Sequence, residues 1–165
     1  MRRLSAPAVA VIALGNRYRH DDGAGPVVAA RAVEEGGLDA GPLTPADASD
    51  LVDGWDGCDL AIVVDATRSG APAGTVRRTE FGEGAGAPGP VAASTHALGL
   101  AAALRLSRAL GSGPRRVVVV GVEGADFGPG EGLSPAVAEA VPAAVAVVVE
   151  LIREAQACAP AGFNG

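Results

Sequence analysis

Three short runs of almost uninterrupted apolar residues frame this chain: residues 8–14 (AVAVIAL), 59–66 (DLAIVVDA) and 116–122 (RVVVVGV). Runs of this length, rich in Val and Ile and closed by Gly or a charge, mark strands buried on both faces, as in a parallel sheet covered by helices. Helical stretches alternate with them. Pro26 suits a first helical turn, and residues 27–35 continue it up to Gly36 and Gly37. Ser94 or Thr95 can cap a helix through Leu98, Leu100, Ala101, Leu104, Leu106 and Leu110 that stops at Gly111. Ser134 and Pro135 open another, from residue 136 to about 157, in which Pro142 predicts a kink or an early break. Residues 74–78 read as a weaker edge strand and residues 82–90 as a Gly/Pro-rich loop. Residues 38–50 are ambiguous, since two prolines weaken a strand around 42–44.

Strands alternating with helices predict an α/β fold: a single three-layer α/β/α domain with a mostly parallel sheet and right-handed crossovers, phosphorylase/hydrolase-like in type. One such domain is expected over residues 1–165, with its core at about 8–157 and a disordered tail at 158–165. The 24 Gly and 12 Pro make up about 22% of the 165 residues, below the roughly 25–30% at which disorder becomes the default.

Charge narrows the chemistry. All 13 basic residues are Arg, so a P-loop NTPase, a protein kinase and a Schiff-base enzyme, each dependent on a Lys, are excluded. A net charge of −6 argues against nucleic acid, because neutralising phosphates needs a basic face. The arginines, several in adjacent pairs such as Arg77/Arg78 and Arg115/Arg116, read as solvated edges. Cys58 and Cys158 stand alone, as small buried or half-buried residues of a reducing cytoplasm. The apolar run at 8–14 is too short for a signal peptide and no stretch is expected to cross a membrane, so a cytoplasmic protein is expected.

In an open parallel sheet, ligands sit beyond the carboxyl ends of the strands. The first strand delivers Asn16, His20, Asp21 and Asp22 to that edge, the second ends on Asp65, and the third leads into Glu123 and Asp126. His96, at the start of the helix after the Gly/Pro loop, faces the same edge. Asp65, the Asp21-Asp22 pair and His96 together make a carboxylate and imidazole set suited to a first-row divalent ion such as nickel or zinc, with a coordination position left open. Each has a plainer reading: Asp65 as a cap or loop acceptor for Thr67 or Arg68, Asp21-Asp22-Gly23 as a turn with Gly23 at positive φ, His96 as a packing residue, and His20 as an exposed loop histidine. The chain has no H-E-x-x-H, G-x-S-x-G or G-x-G-x-x-G element.

These segments carry a resemblance. Residues 15–25 (GNRYRHDDGAG) are similar to the G-N-x-x-x-x-D-[DE]-x-x-G opening of the hydrogenase maturation proteases. Residues 63–66 (VVDA) resemble the second acidic motif of that family, residues 94–100 (STHALGL) its S-x-H-x-L-x-L helix start, and residues 119–123 with 132–135 (GLSP) its last strand and final helix entry. The similarity runs in order from residue 8 to about 155.

The resemblance implies an endopeptidase that removes a C-terminal peptide from the nickel-loaded precursor of a [NiFe] hydrogenase large subunit, with that precursor as its partner. Asp22, Asp65 and His96 then take the three family ligand positions, and the nickel is supplied by the substrate; other divalent metals can occupy the site. Two roles for the metal are compatible with the residues, activation of a water and docking of the substrate. The family's acidic residue before the second strand has Asp47 as its counterpart here, which adds Asp47 to the candidate catalytic residues, although the glycines that follow it in the family are absent. Two further readings stay open: a non-cleaving nickel- or partner-binding homologue, and a small metal-dependent α/β hydrolase.

Overall fold

A computed structural model describes residues 8–81 and 96–158. The expected loop at 82–90, the expected caps Ser94 and Thr95, residues 1–7 and most of the expected tail, 159–165, lie outside them. The three apolar runs form β1 (Val9–Ala13), β2 (Leu60–Thr67) and β4 (Arg116–Glu123), and β3 (Val76–Phe81) completes a four-stranded sheet in the order β1-β2-β4-β3. β1, β2 and β4 are mutually parallel, with Val11 beside Ile62 and Ile62 beside Val118. β3 runs antiparallel along β4 from Val76 beside Val122 to Phe81 beside Val117. This edge strand starts and ends later than residues 74–78, because Gly74 takes φ +84 and belongs to the turn before it.

Side-chain alternation along each strand assigns the two sheet faces. Val11, Ala13, Leu60, Ile62, Val64, Val118, Val120 and Val122 pack with α1 (Ala24–Glu35) and α4 (Pro135–Ala157). Ile12, Leu14, Ala61, Val63, Val117 and Val119 pack with α2 (Ala48–Gly54) and α3 (Ala97–Ala109), around the fully buried Trp55. Odd positions of β2 therefore face α3, and Asp65 continues the series after Ala61 and Val63.

Several local expectations change. α1 begins at Ala24, so Pro26 is its third residue, and a 3-10 turn over His20–Gly23 leads into it. Gly23 has φ −76, which removes the positive-φ turn as an explanation of the Asp-Asp-Gly sequence. Residues 38–50 resolve into a single parallel bridge, Ile12 with Leu43, followed by α2, which Asp47 caps. α4 continues through Pro142 without a break. Pro142 lies on the exposed face, where water can satisfy the carbonyl left without its helical donor. α4 is also long and apolar enough, by composition, to cross a membrane, with a window of mean hydropathy 1.9, contrary to the expectation for this chain; half of that window is buried inside the protein, as in a core helix. Cys58 is half-buried, as expected, whereas Cys158 is exposed at the end of α4.

Candidate metal centre

The turn that follows β1 is built to present one carboxylate. Gly15 has φ +124, and a Cβ there would stand 1.9 Å from the Asp22 carbonyl oxygen, so only glycine allows the chain to close on itself at this point. The backbone N–H of Asn16 donates to Asp22 Oδ2 at 2.8 Å, and Asn16 Oδ1 accepts from the Tyr18 N–H at 2.9 Å. Gly25 does the same for the entry of α1, where a Cβ would meet the carbonyl oxygens of Leu14 at 2.1 Å and Val64 at 2.7 Å. The start of α1 is thereby held against the carboxyl ends of β1 and β2.

Asp65 stands one step beyond the last β1–β2 pair, Ala13 with Val64, and on the α3 side of the sheet. His96 immediately precedes α3 and directs Nδ1 to both Asp65 oxygens, at 3.2 and 3.3 Å. One donor atom each from Asp22, Asp65 and His96 lie within 4.8 Å of one another, the one such grouping of His, Cys, Asp and Glu among the described residues. Two donors each about 2.1 Å from one ion stand about 3 to 4 Å apart, so a bound ion would draw this trio slightly together.

The electrostatics favour a cation. Asp22 and Asp65 are 5% and 2% exposed, and two adjacent buried carboxylates need a compensating positive charge. His96 responds to them: its hydrogen bond to Asp65 raises its pKa above 6.5, burial opposes, the charges of Asp65 and Asp22 raise it further, and Arg19 works against them. A divalent ion would supply the same compensation more strongly, with two oxygen donors and one nitrogen donor and room for ligands brought by a substrate.

The remaining carboxylates at this edge are committed elsewhere. Asp21, fully buried, accepts from the N–H groups of Ala125, Asp126 and Ser134 and from the Ser134 hydroxyl. Burial pushes its pKa up, but these hydrogen bonds outweigh it and hold the carboxyl below its ordinary value. Glu123 is saturated in the same way by Thr67, Ser69 and Gly70, and burial again loses to hydrogen bonding. Asp126 accepts from the Gly128 N–H in its own exposed turn. His20 is half-buried rather than exposed, adopts φ +43, and pairs Nδ1 with the Gly132 carbonyl at 3.0 Å, outside the trio. Asp47 is exposed and caps α2, accepting from the N–H groups of Ser49 and Asp50. The Ser49 hydroxyl and both N–H groups hold its carboxyl below the ordinary range. The sequence patterns gave no sign of the anchoring work of Asp21 and Glu123, because the partners of Asp21 lie more than 100 residues away in the chain.

A sequence model of the hydrogenase maturation proteases, HycI type, matches residues 34–151. That stretch contains Asp65 and His96 and begins after Asp22. No curated protein sequence matches the chain. Among solved structures, the fold is similar to the hydrogenase maturating endopeptidase HybD from E. coli, with 26% identity, 89% of this chain and 93% of that one covered, and a TM-score of 0.71. It is similar also to a hydrogenase 2 maturation peptidase from the Thaumarchaeota archaeon SCGC_AB-539-E09, with 27% identity, coverage of 88% and 97%, and a TM-score of 0.60. The [NiFe] hydrogenase maturation protease HybD from Thermococcus kodakarensis, at 24% identity, shares the fold over 88% of this chain and 99% of its own, with a TM-score of 0.68.

Proposed function

The chain belongs to the hydrogenase maturation protease family, and from that premise we propose that Asp22, Asp65 and His96 are the site at which it engages its substrate. The protein is an endopeptidase that processes the C-terminal end of a hydrogenase large subunit. The observation that carries the site assignment is the convergence of two buried carboxylates and one imidazole at the carboxyl edge of the sheet, where an α/β sheet binds its ligands.

In this reading the nickel belongs to the precursor and is part of what is recognised. Asp22 and Asp65 supply oxygen donors and His96 a nitrogen donor, a set suited to a borderline divalent ion. Three protein donors leave positions for groups of the precursor itself, so the trio registers whether the metal has been inserted before the C-terminal peptide is released. The partner is the precursor of the large subunit, and the setting is the cytoplasm, consistent with two free cysteines.

The test is incubation with the large-subunit precursor, with and without nickel, followed by mass spectrometry of its C-terminus. Cleavage of the nickel-loaded form alone is expected. Asp22→Asn and His96→Ala should abolish it while circular dichroism shows the fold unchanged. Processing by His96→Ala at the wild-type rate would remove the trio from the mechanism.

A further inference from the structure

Four large apolar side chains are exposed among the described residues, and all four lie on the segments that carry the site: Tyr18 at 62%, Leu98 at 87%, Leu106 at 48% and Leu110 at 65%. Tyr18 is on the turn between Asn16 and Asp22. The other three belong to α3 and its end, beginning two residues after His96.

α3 is apolar on both faces: Leu100, Ala103 and Leu104 pack inward in the core, and a second apolar stripe faces outward. Its Ser107 faces inward, fully buried, and accepts a hydrogen bond from Trp55 Nε1 at 2.9 Å. Its outer face shows Leu98, Ala102, Leu106 and Ala109, at helical spacing, with Arg105 and Arg108 along one side. A surface helix ordinarily keeps its outward stripe polar, and a contiguous apolar patch edged by charge marks an interaction site. From Leu98 to Leu110 the stripe runs about 18 Å at 1.5 Å per residue, starting at the metal centre and leading away from it.

We propose that the outer face of α3 is the docking surface for the folded body of the precursor, and that it holds that body while the C-terminal segment reaches Asp22, Asp65 and His96. This rests on the function proposed above. Two features of α3 define the partner. The helix contains no Asp or Glu, and its charged residues are Arg105 and Arg108, on a chain whose net charge is −6. The complementary surface is therefore an apolar patch edged by carboxylates. A second copy of this chain fits poorly, because a two-fold contact places the same patch on both sides and brings the arginines of one α3 toward those of the other with no carboxylate on either helix to pair them.

The experiment titrates fluorescently labelled precursor with the wild-type protein and with Leu106→Glu and Arg105→Glu, and in parallel follows processing against precursor concentration. Both positions are exposed, so the variants should fold. Leu106 lies about 15 Å along the helix from His96, so the affinity of the trio for nickel alone should be unchanged in calorimetry. Each variant is expected to weaken precursor binding about tenfold or more, raising KM with kcat within about twofold of wild type. Equal precursor affinity in wild type and both variants overturns the proposal. So does a wild-type protein that sediments as a dimer and becomes monomeric in Leu106→Glu, since the face is then a self-contact. Binding and processing fail separately: wild type that binds the precursor through α3 without cleaving it overturns the function proposed above and leaves this inference standing.

Discussion

Replacing Asp21 by Asn should cost about 2–4 kcal/mol at neutral pH, although the side chain keeps its size and lies outside the candidate trio. Asp21 Oδ2 accepts from Ala125 N, Asp126 N and Ser134 Oγ at 2.8, 2.9 and 2.8 Å, and Oδ1 accepts from Ser134 N at 2.7 Å. An asparagine can place its carbonyl oxygen in only one of these positions. With the oxygen at the Oδ2 position, its NH2 group faces the Ser134 N–H, donor against donor, and an orphaned buried N–H costs about 1–3 kcal/mol. The three retained bonds change from charge-assisted to neutral, at a loss of about 1 kcal/mol each. Against this, the neutral amide costs less to bury than a carboxylate, by about 2 kcal/mol once the amide's own burial is counted, which brings the net loss to the range given.

The pH dependence has a definite sign. The folded-state pKa of Asp21 lies below 3.8, so its contribution is fully present above the unfolded carboxyl's range and is lost as pH falls through the folded value. The gap between wild type and Asp21→Asn should therefore narrow in acid. Urea unfolding from about pH 7 down to about pH 3 measures it, and hydrogen exchange should show early loss of protection at Ala125, Asp126 and Ser134. A variant within about 0.5 kcal/mol of wild type at neutral pH, or a gap that does not change with pH, would refute this account of Asp21.

Gly15→Ala should destabilise by about 3 kcal/mol or more, since its Cβ would fall 1.9 Å from the Asp22 carbonyl oxygen at φ +124; thermal unfolding measures the loss, and nickel titration should show weaker binding as Asp22 is displaced. In the metal-free protein, His96 should titrate above the ordinary 6.5 of histidine by NMR, and Asp65→Asn should bring it down, because the hydrogen bond to Asp65 is the largest cause of the rise. The stabilisation from that pair is fully present below 6.5 and fades as pH rises through the raised value, so unchanged His96 titration in Asp65→Asn would contradict it. Asp47→Asn, which preserves an N-cap acceptor, should leave precursor processing intact, whereas Asp47→Ala should loosen α2 in hydrogen exchange; lost processing in Asp47→Asn would give Asp47 a chemical role.

The strands were legible because each is a short, β-branched apolar run closed by Gly or a charge, as in residues 60–66, whereas the equally apolar residues 143–149 sit inside a segment of helix length. α2 was not, since a helix of seven residues shows less than two turns of periodicity and its buried positions, Leu51 and Val52, are adjacent. The signal that could have found it is Asp47, an acceptor placed just ahead of Ser49 and Asp50. The family resemblance names the same residue as a chemical group, and the cap bonds do not decide between the two roles. Pro142 was read as a break because the pattern shows a helix breaker but not that its freed carbonyl faces water.

The site itself divides along the same line. Strand ends alone select Asp21, Asp22, Asp65 and Glu123 as candidates, and the side chains are chemically alike. What each of them faces in the fold separates them. Asp21 and Glu123 each receive four hydrogen bonds and are anchors, one tying the first turn to the start of α4, the other tying the exit of β2 to β4. Asp22 receives one, from Asn16, among the described residues, and Asp65 faces the His96 imidazole. A buried carboxylate with four donors is already satisfied and has nothing to gain from an ion, whereas Asp22 and Asp65 bring oxygen donors together with the His96 imidazole within 4.8 Å, the kind of set a divalent ion takes. The hydrogen-bond donors to Asp21 come from segments up to 113 residues away, so adjacent Asp21 and Asp22 look interchangeable in the sequence and do opposite work in the fold.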